Sequence, residues 1–223
     1  EQIEKVQKTG GMKMNLLNLY YRLSSIWYKR KIKDLGKHVA LRFGAVIYHG
    51  EKMHIGNDCQ IGKGFVCAIY PEYAGQKTPA GRQGSENGVF IGERVTANRN
   101  LTIFCADKVE VGNGTMLGST ILITDNNHGT NAGEMQRNYR EQPLTTKAVS
   151  IGKDCWIAEQ SCILSGAHIG NKCIVAANAV VTSGIYPDKC ILAGNPARII
   201  RIWDEEKNEW RKCFGNERKK NES

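Results

Sequence analysis

A six-residue repeat constrains the fold of this chain more than any other feature. Between Ile151 and Arg198 the sequence divides into eight consecutive units: IGKDCW, IAEQSC, ILSGAH, IGNKCI, VAANAV, VTSGIY, PDKCIL and AGNPAR. Six of the eight open with Ile or Val, and the fifth position is usually Ala, Ser or Cys. A period of six matches neither an α-helix nor a single strand, and it indicates a repeat architecture. Because apolar side chains that recur every six residues require a flat-sided coil, the pattern predicts a parallel β-helix.

The register resumes upstream, so the repeat covers most of residues 43–198. The further units are FGAVIY, HGEKMH, IGNDCQ and IGKGFV over 43–66, IGERVT, ANRNLT and IFCADK over 91–108, and VGNGTM and LGSTIL over 111–122. Two stretches interrupt it, Cys67–Gly88 and Thr124–Ser150. Long loops on a rigid scaffold are often functional. We therefore expect a polar tail and basic helix over 1–34, a coil domain over 35–201 with loops 67–90 and 124–150, and a charged tail over 202–223 with a short helix at KNEWRK.

The net charge of +9 favours an anionic partner. Residues 12–33 contain six Lys and Arg and no acid, and their apolar residues recur at helical spacing: Leu16, Leu19, Tyr20, Leu23, Ile26 and Trp27. Such a basic amphipathic helix could cover the open end of the coil, or it could attach the chain to an anionic membrane surface. We expect no nucleic acid, because the basic residues lack a groove-reading motif or an aromatic stacking platform.

The eight cysteines contain no CxxC pair, and Cys59, Cys155 and Cys173 take the fifth position of a repeat unit. We expect buried packing thiols in a reducing cytoplasm. No run of 18 apolar residues predicts a membrane span, and no signal-peptide pattern is present. The opening EQIEKVQKTGG, before Met12, is left out of the fold prediction, because a polar segment of this kind need not be native.

His128 is the strongest candidate for chemistry, because it lies in the second interruption within ILITDNNHGT. A loop histidine beside a rigid coil can act as a general base, since its free pKa of ~6.5 lies near working pH. Asp-Asn-Asn-His-Gly is equally good composition for a solvated turn. His49 and His54 could approach one metal, but no third histidine is suitably spaced, so we expect no metal site. His38 and His168 have no supporting residues around them.

The repeat units, the TDNNHG loop, the segment IGKDCWIA and the closing AGNPARIIR together resemble the hexapeptide-repeat O-acetyltransferases. The similarity covers roughly residues 43–201 and is closest to the capsular and lipopolysaccharide O-acetyltransferases, with the galactoside and maltose acetyltransferases slightly further away. It implies a left-handed β-helix that assembles as a homotrimer and binds acetyl-CoA between neighbouring subunits. It also implies direct acetyl transfer to a sugar or glycan hydroxyl, in surface polysaccharide synthesis.

The resemblance assigns roles to nine residues. His128 matches the family's general base, and Asn98 in TANRNLTI matches an Asn at the acceptor site that steadies the acceptor or the oxyanion. Asp125 and Asn126 are expected beside the acceptor. The residues expected along the donor are Trp156, Ala177 and Thr182, with Arg198 and Arg201 reaching the phosphates of coenzyme A.

Two other functions remain open at this stage. An antibiotic (xenobiotic) acetyltransferase would use the same loop histidine on the same fold, with another acceptor. A zinc-dependent β-helix of the carbonic-anhydrase kind would need a metal site. The leading expectation is a cytoplasmic enzyme, held at the inner face of the membrane if residues 12–33 bind there.

Overall fold

The chain forms a parallel β-helix, in which successive strands along the chain belong to three sheets in turn. The structure is a computed structural model and describes residues 19, 23–129 and 132–213. The first two coils contain β1 (Asp34–Leu35), β2 (Ala40–Leu41) and β3 (Val46–Tyr48), then β4 (Met53–Ile55), β5 (Gln60–Ile61) and β6 (Val66–Ile69). An insertion follows with the hairpin β7 (Glu72–Tyr73) and β8 (Gln76–Lys77), and short 3-10 turns lie at Gly50–Lys52 and Pro79–Gly81.

The remaining coils repeat the same plan. Coils 3 and 4 contain β9 (Val89–Ile91), β10 (Thr96–Ala97) and β11 (Thr102–Cys105), then β12 (Val109–Val111), β13 (Met116–Leu117) and β14 (Leu122–Thr124). A second insertion carries β15 (Asn126–Asn127) and β16 (Thr145–Thr146). Coils 5 and 6 contain β17 (Val149–Ile151), β18 (Trp156–Ile157) and β19 (Cys162–Ile163), then β20 (Ala167–Ile169), β21 (Ile174–Val175) and β22 (Val180–Val181). Coil 7 contains β23 (Gly184–Tyr186) and β24 (Cys190–Gly194), followed by β25 (Ala197–Asp204) and β26 (Glu209–Lys212).

The three strands of each coil belong to sheets 1, 2 and 3 in chain order. Sheet 1 runs β1-β4-β9-β12-β17-β20-β23, sheet 2 runs β2-β5-β10-β13-β18-β21-β24-β25-β26, and sheet 3 runs β3-β6-β11-β14-β19-β22. All pairs between coils are parallel, as Thr102 opposite Leu122 illustrates. Adjacent coils are therefore spaced about 4.8 Å apart, the separation of paired strands.

The repeat positions form the core, which confirms the prediction from the sequence. The residues that open the units fill the interior, each at most 3% exposed: Ile151, Ile157, Ile163, Ile169, Val175 and Val181. The small residues at the fifth position are also buried: Cys155, Ser161, Ala167, Cys173 and Ala179. All eight cysteines are free, and burial raises the pKa of the Cys67 thiol to about 12, as expected for a packing thiol.

Three parts of the register differ from the prediction. Phe43 and His49 open predicted units, but both side chains are exposed, and the buried apolar side chains nearest to them are those of Leu41 and Met53. The last coil is one residue short, since Tyr186 pairs with Ile169 seventeen positions earlier, so the final two units are out of phase. The predicted loops are also shorter, because Cys67–Ile69 and Val149–Ser150 belong to strands and leave insertions at 70–88 and 125–148.

The short C-terminal helix predicted at KNEWRK is wrong, because Glu209–Lys212 form the strand β26. β25 pairs antiparallel with β24 and then with β26, and Trp203 packs edge-on against Trp210 at 5.3 Å between ring centroids. The exposed edge of β24 offers the backbone partners that draw this charged segment into sheet 2. β25 also runs through Arg201, so the expected domain boundary falls within a strand.

At the N-terminus, residues 23–28 are helical, and the rest of the predicted helix before residue 23 lies outside the described residues except Leu19. The helix ends sooner than expected, because 29–33 form turns. Its buried side carries Ser24 and Tyr28, whose phenol oxygen accepts a hydrogen bond from the Ala45 amide at 3.0 Å. The predicted apolar face points outward, with Leu23 53%, Ile26 66% and Trp27 61% exposed.

Candidate active site

Both insertions leave the coil at the same corner. Residues 70–88 follow β6 and residues 125–148 follow β14, and each insertion ends where the next strand of sheet 1 begins. Only coil 3 lies between these two exits, so segments about fifty residues apart in sequence meet at the edge of sheet 3.

A cleft of about 480 Å³ lies where the two insertions meet. Its lining comes from both insertions and from the sheet between them: Tyr70, Tyr73, Phe104, Thr124, Asn126, Asn127, His128 and Leu144. A partly apolar concave surface with a few polar groups is the usual form of a small-molecule site.

His128 follows β15 and presents an exposed imidazole to this cleft. Its ring meets the ring of Tyr73 edge-on, at 5.1 Å between centroids and 66° between planes. Tyr70 in turn lies 6.4 Å from both Tyr73 and Phe104. His128 is therefore held beside a wall of aromatic side chains, rather than on an isolated solvated turn.

Tyr70 and Tyr73 are site residues that the sequence analysis did not identify. The segment YPEY in the first insertion carries the signal, but nothing in the sequence connects it with the histidine loop. Burial, followed by the neighbouring Tyr73, raises the pKa of Tyr70, so its phenol stays protonated and can donate a hydrogen bond.

Asp125 fixes the start of the histidine loop. Its fully buried carboxylate accepts hydrogen bonds from the amides of Ala106 and Asp107, both at 2.8 Å, and its carbonyl oxygen accepts one from the Ser165 hydroxyl at 2.9 Å. The expected contact with an acceptor is therefore replaced by a positioning role. The neighbouring Asp107 has a raised pKa, mainly through its own burial and then through the charge of Asp125.

Asn126 extends this arrangement into the cleft. Its side-chain amide donates to Asp125 Oδ1 at 2.9 Å, and its backbone pairs with Thr146 across β15 and β16. The half-buried side chain lines the cleft beside His128, which is compatible with the expected acceptor contact.

Asn98 lies elsewhere on the chain. It follows β10 at the corner between sheets 2 and 3, whereas His128 lies at the corner between sheets 3 and 1. Asn98 is exposed and lines a different cleft, so one copy of the chain does not bring these two residues together.

The expected donor residues are also divided between corners. The exposed residue Ala177 follows β21 at the corner between sheets 2 and 3, which is also the corner of Asn98. Thr182 follows β22 at the corner between sheets 3 and 1, two coils beyond His128. Trp156 is 46% exposed on β18. Arg198 and Arg201 lie on β25 at the C-terminal end of the coil, and Arg198 Nη1 donates to the Ala197 carbonyl at 2.9 Å. The five positions therefore do not form one site within a single chain.

The two histidines considered for a metal have separate partners. His49 Nδ1 lies 3.0 Å from Glu51, whereas His54 Nδ1 lies 2.6 Å from Asp34 and its ring stacks on Phe90. Within the described part of the chain, no group of three or more His, Cys, Asp or Glu side chains is arranged to hold a metal ion.

Comparison with known proteins agrees with the repeat and the fold. Residues 148–183 match the family described as bacterial transferase hexapeptide (six repeats). WbbJ of Escherichia coli (strain K12), which bears the name of a lipopolysaccharide biosynthesis O-acetyltransferase, is 33% identical over 130 residues, covering 56% of this chain and 66% of WbbJ. Galactoside O-acetyltransferase of the same strain is 28% identical over 129 residues, covering 57% of this chain and 61% of the relative.

A solved structure of AntD, an N-acyltransferase from Bacillus cereus in complex with a dTDP-amino sugar and coenzyme A, superposes with a TM-score of 0.65. It is 18% identical and covers 82% of this chain and 91% of AntD, so this likeness concerns the fold. The fold and repeat define a left-handed parallel β-helix protein built from hexapeptide repeats. Within that class, the chain is similar to relatives that are named as acetyltransferases. It spans less than two thirds of the length of the curated relatives that it matches.

The anchoring of the loop by Asp125 predicts the effect of Asp125→Asn. The substituted amide nitrogen would face one of the two backbone donors, so one buried hydrogen bond to a charged acceptor is lost and a donor is left unsatisfied. We expect the free energy of unfolding to fall by about 1–3 kcal/mol in chemical denaturation. The exposed Asp58→Asn, which removes a surface contact with His38, should change it by less than about 0.5 kcal/mol. Equal losses in both variants would contradict the anchoring role.

Proposed function

We propose that this chain is an acetyl-CoA-dependent O-acetyltransferase that modifies a sugar hydroxyl in surface polysaccharide synthesis, such as that of a capsule, O-antigen or exopolysaccharide. One observation carries the proposal: the exposed imidazole of His128 faces a cleft beside a rigid hexapeptide coil. The names of WbbJ and galactoside O-acetyltransferase support a sugar acceptor. Coenzyme A in the AntD complex supports the donor.

His128 would act as the general base. Its neutral imidazole removes the proton of the acceptor hydroxyl while the oxygen attacks the thioester carbonyl of acetyl-CoA. The C–S bond then breaks, the acetyl group stays on the sugar oxygen, and the departing thiolate takes the proton from the imidazolium. Tyr73 restricts the orientation of the ring, and the anchored Asp125 holds the loop. The enzyme therefore needs no covalent intermediate.

The cleft suits a sugar because it combines aromatic and polar groups. The rings of Tyr70, Tyr73 and Phe104 offer apolar faces, and the side chains of Asn126 and Asn127 offer both donors and acceptors. Pockets of this composition bury the ligand against apolar walls and orient it with a few hydrogen bonds. A panel of sugar and antibiotic acceptors in a thiol-release assay would distinguish the two acceptor classes.

A homotrimer would complete the site. His128 and Thr182 lie at one corner of the coil, whereas Asn98 and Ala177 lie at another. Neighbouring copies packed side by side can bring the first corner of one chain against the second corner of the next. The donor would then lie in the groove between subunits, with its phosphates near Arg198 and Arg201.

The N-terminal helix supports peripheral attachment to an anionic membrane surface. Leu23, Ile26 and Trp27 form an exposed apolar face, and Lys29, Arg30 and Lys31 follow it directly. Within the described residues, no helix is long and apolar enough to cross a bilayer. Attachment would keep the enzyme near a membrane-bound glycan.

His128→Ala should lower kcat on the order of 10²–10⁴-fold, because it removes the proton acceptor. Binding of acetyl-CoA and the thermal midpoint of unfolding should stay close to those of the wild type. His168→Ala, an exposed histidine on sheet 1, is the matched control and should retain activity. Thiol release measured under saturating acetyl-CoA tests this, and His128→Ala activity within a few-fold of the wild type would refute the general-base role.

Arg198→Ala should raise the KM for acetyl-CoA by about tenfold with a much smaller change in kcat, because loss of one charge-assisted phosphate contact weakens the donor in both ground and transition states. Arg94→Ala, an exposed arginine at the corner between sheets 1 and 2, serves as the control. Steady-state kinetics with varied acetyl-CoA measures the effect. An unchanged KM would remove Arg198 from the donor site.

The membrane proposal predicts that Leu23→Ser/Ile26→Ser/Trp27→Ser abolishes co-sedimentation with vesicles of phosphatidylcholine and phosphatidylglycerol. These side chains are exposed, so the substitutions should leave the coil intact, whereas deleting residues 1–33 would uncover the core beneath Tyr28 and Ile32. The control Met116→Ser/Ile185→Ser/Ile200→Ser removes exposed apolar residues from the coil itself. Vesicle binding that survives in the helix variant would rule out this mode of attachment.

A further inference from the structure

A second cleft, of about 640 Å³, lies at the corner between sheets 2 and 3 near the N-terminal end of the coil. Three cationic side chains line it, Arg42, Lys63 and Arg99, and all three are exposed. None of the residues that line it is acidic. The first acidic residue further along this corner is Glu159, on coil 5.

The strand register brings these cations together. Leu41, Ile61 and Ala97 stack in successive coils, so the residues that follow them also stack. Phe43, Lys63 and Arg99 therefore occupy equivalent positions on coils 1, 2 and 3. Lys63 and Arg99 start from backbone positions about 4.8 Å apart.

The neighbouring column also lines the cleft. Arg42, Gly62 and Asn98 are equivalent positions on coils 1, 2 and 3, and all three belong to its lining. A Cβ atom at Gly62 would come within 2.1 Å of the Asn98 carbonyl oxygen, so glycine is required for the close approach of coils 2 and 3. The cationic side chain of Arg42 and the amide of Asn98 therefore line the same cleft as Lys63 and Arg99.

Electrostatics favours an anion in this cleft. Lys63 and Arg99 occupy adjacent corner positions, where like charges repel each other. Within residues 23–129 and 132–213 neither side chain has an ion-pair partner. A ligand that carries two negative charges would replace the repulsion between these side chains with attraction. Guanidinium and ammonium groups are suited to phosphate oxygens.

The position of the cleft indicates which substrate would carry the phosphate. Ala177, an expected donor residue, lies on the same corner three coils beyond Arg99, a distance of about 14 Å. The donor phosphates are expected still further on, at Arg198 and Arg201 on β25. Asn98, expected beside the acceptor, lines the cationic cleft itself.

We propose that Arg42, Lys63 and Arg99 form a subsite for the phosphate or diphosphate of a phosphate-linked sugar acceptor. This inference rests on the proposed acetyl transfer for the identity of the acceptor, but phosphate binding itself does not depend on it. The exposed ring of Phe43, next to Arg42, offers an apolar contact to the group beyond the phosphate. That group is either the base of a nucleotide or the first carbons of a lipid.

The test compares phosphate binding in two double variants of the full chain. Lys63→Gln/Arg99→Gln removes two charges from the cleft, and Arg94→Gln/Lys153→Gln removes the same two charge types from the corner between sheets 1 and 2. Isothermal titration calorimetry with inorganic pyrophosphate, UDP-glucose and farnesyl diphosphate measures the affinities. Both variants should keep the thermal midpoint of the wild type, since all four side chains are exposed.

We expect at least one of these probes to bind, with a Kd raised tenfold or more in the cleft variant and less than twofold in the control. Stronger binding of UDP-glucose than pyrophosphate would identify a nucleotide-linked acceptor, and stronger binding of farnesyl diphosphate a lipid-linked one. Equal weakening in both variants, unchanged binding in the cleft variant, or no binding of any probe would overturn the proposal.

Coenzyme A binding distinguishes this proposal from the proposed function. The cleft variant should bind coenzyme A as the wild type does, and a parallel loss would assign the cleft to the donor and refute the acceptor subsite. If no acceptor is acetylated but the cleft variant alone loses pyrophosphate, the transfer function fails while the phosphate site stands. If transfer occurs with an uncharged sugar and neither variant changes phosphate affinity, the transfer function stands and the subsite is refuted.

Discussion

The structure depends on the stacking of small and β-branched side chains at equivalent positions of successive coils. Ile157, Ile163 and Val175 are fully buried because each packs against residues of the coils above and below it, and the parallel hydrogen bonds between coils keep them in register. Burial of each such side chain contributes about 1.5–3 kcal/mol. The central strands of the coil are buried on their inner side, and both long insertions leave the coil at a corner. This constraint explains why the candidate site lies at a corner rather than on a sheet.

The core could be predicted from the sequence wherever the coil keeps its regular length. The units from Ile151 to Val181 are in phase with the structure because their connections are short and uniform. The prediction fails where a connection changes length, as in the short last coil before Tyr186, because a period alone does not report a missing residue. It fails again at Glu209–Lys212, where composition resembles a helix but the free edge of sheet 2 and the contact between Trp203 and Trp210 favour a hairpin. Both failures arise from tertiary pairing, which local patterns do not contain.

In the candidate site, too, local sequence patterns predicted some residues and tertiary contacts decided the others. His128 could be identified from its loop, because a polar segment that interrupts an apolar repeat is conspicuous. Tyr73 could not, since its contact with His128 exists only because two insertions leave the same corner two coils apart. The sequence analysis expected Asp125 to contact the acceptor. In the structure its carboxylate instead accepts hydrogen bonds from the backbone amides of Ala106 and Asp107. Burial therefore changes a candidate for binding into one for positioning.

The N-terminal helix and the cationic cleft both lie near the N-terminal end of the coil. Tyr28 packs on the coil, while Ile26 and Trp27 on the other side of the helix face outward. The outward side is therefore the one available for the proposed membrane contact. The amide of Ala45 donates a hydrogen bond to the Tyr28 hydroxyl. Ala45 lies two residues after Phe43, which lines the cleft on coil 1. If both proposals hold, the order along the axis is the membrane, the acceptor phosphate at Lys63 and Arg99, the sugar at Asn98, and the donor on the later coils. A lipid-linked acceptor would satisfy that order with its lipid end directed toward the helix, because the same coil carries both surfaces.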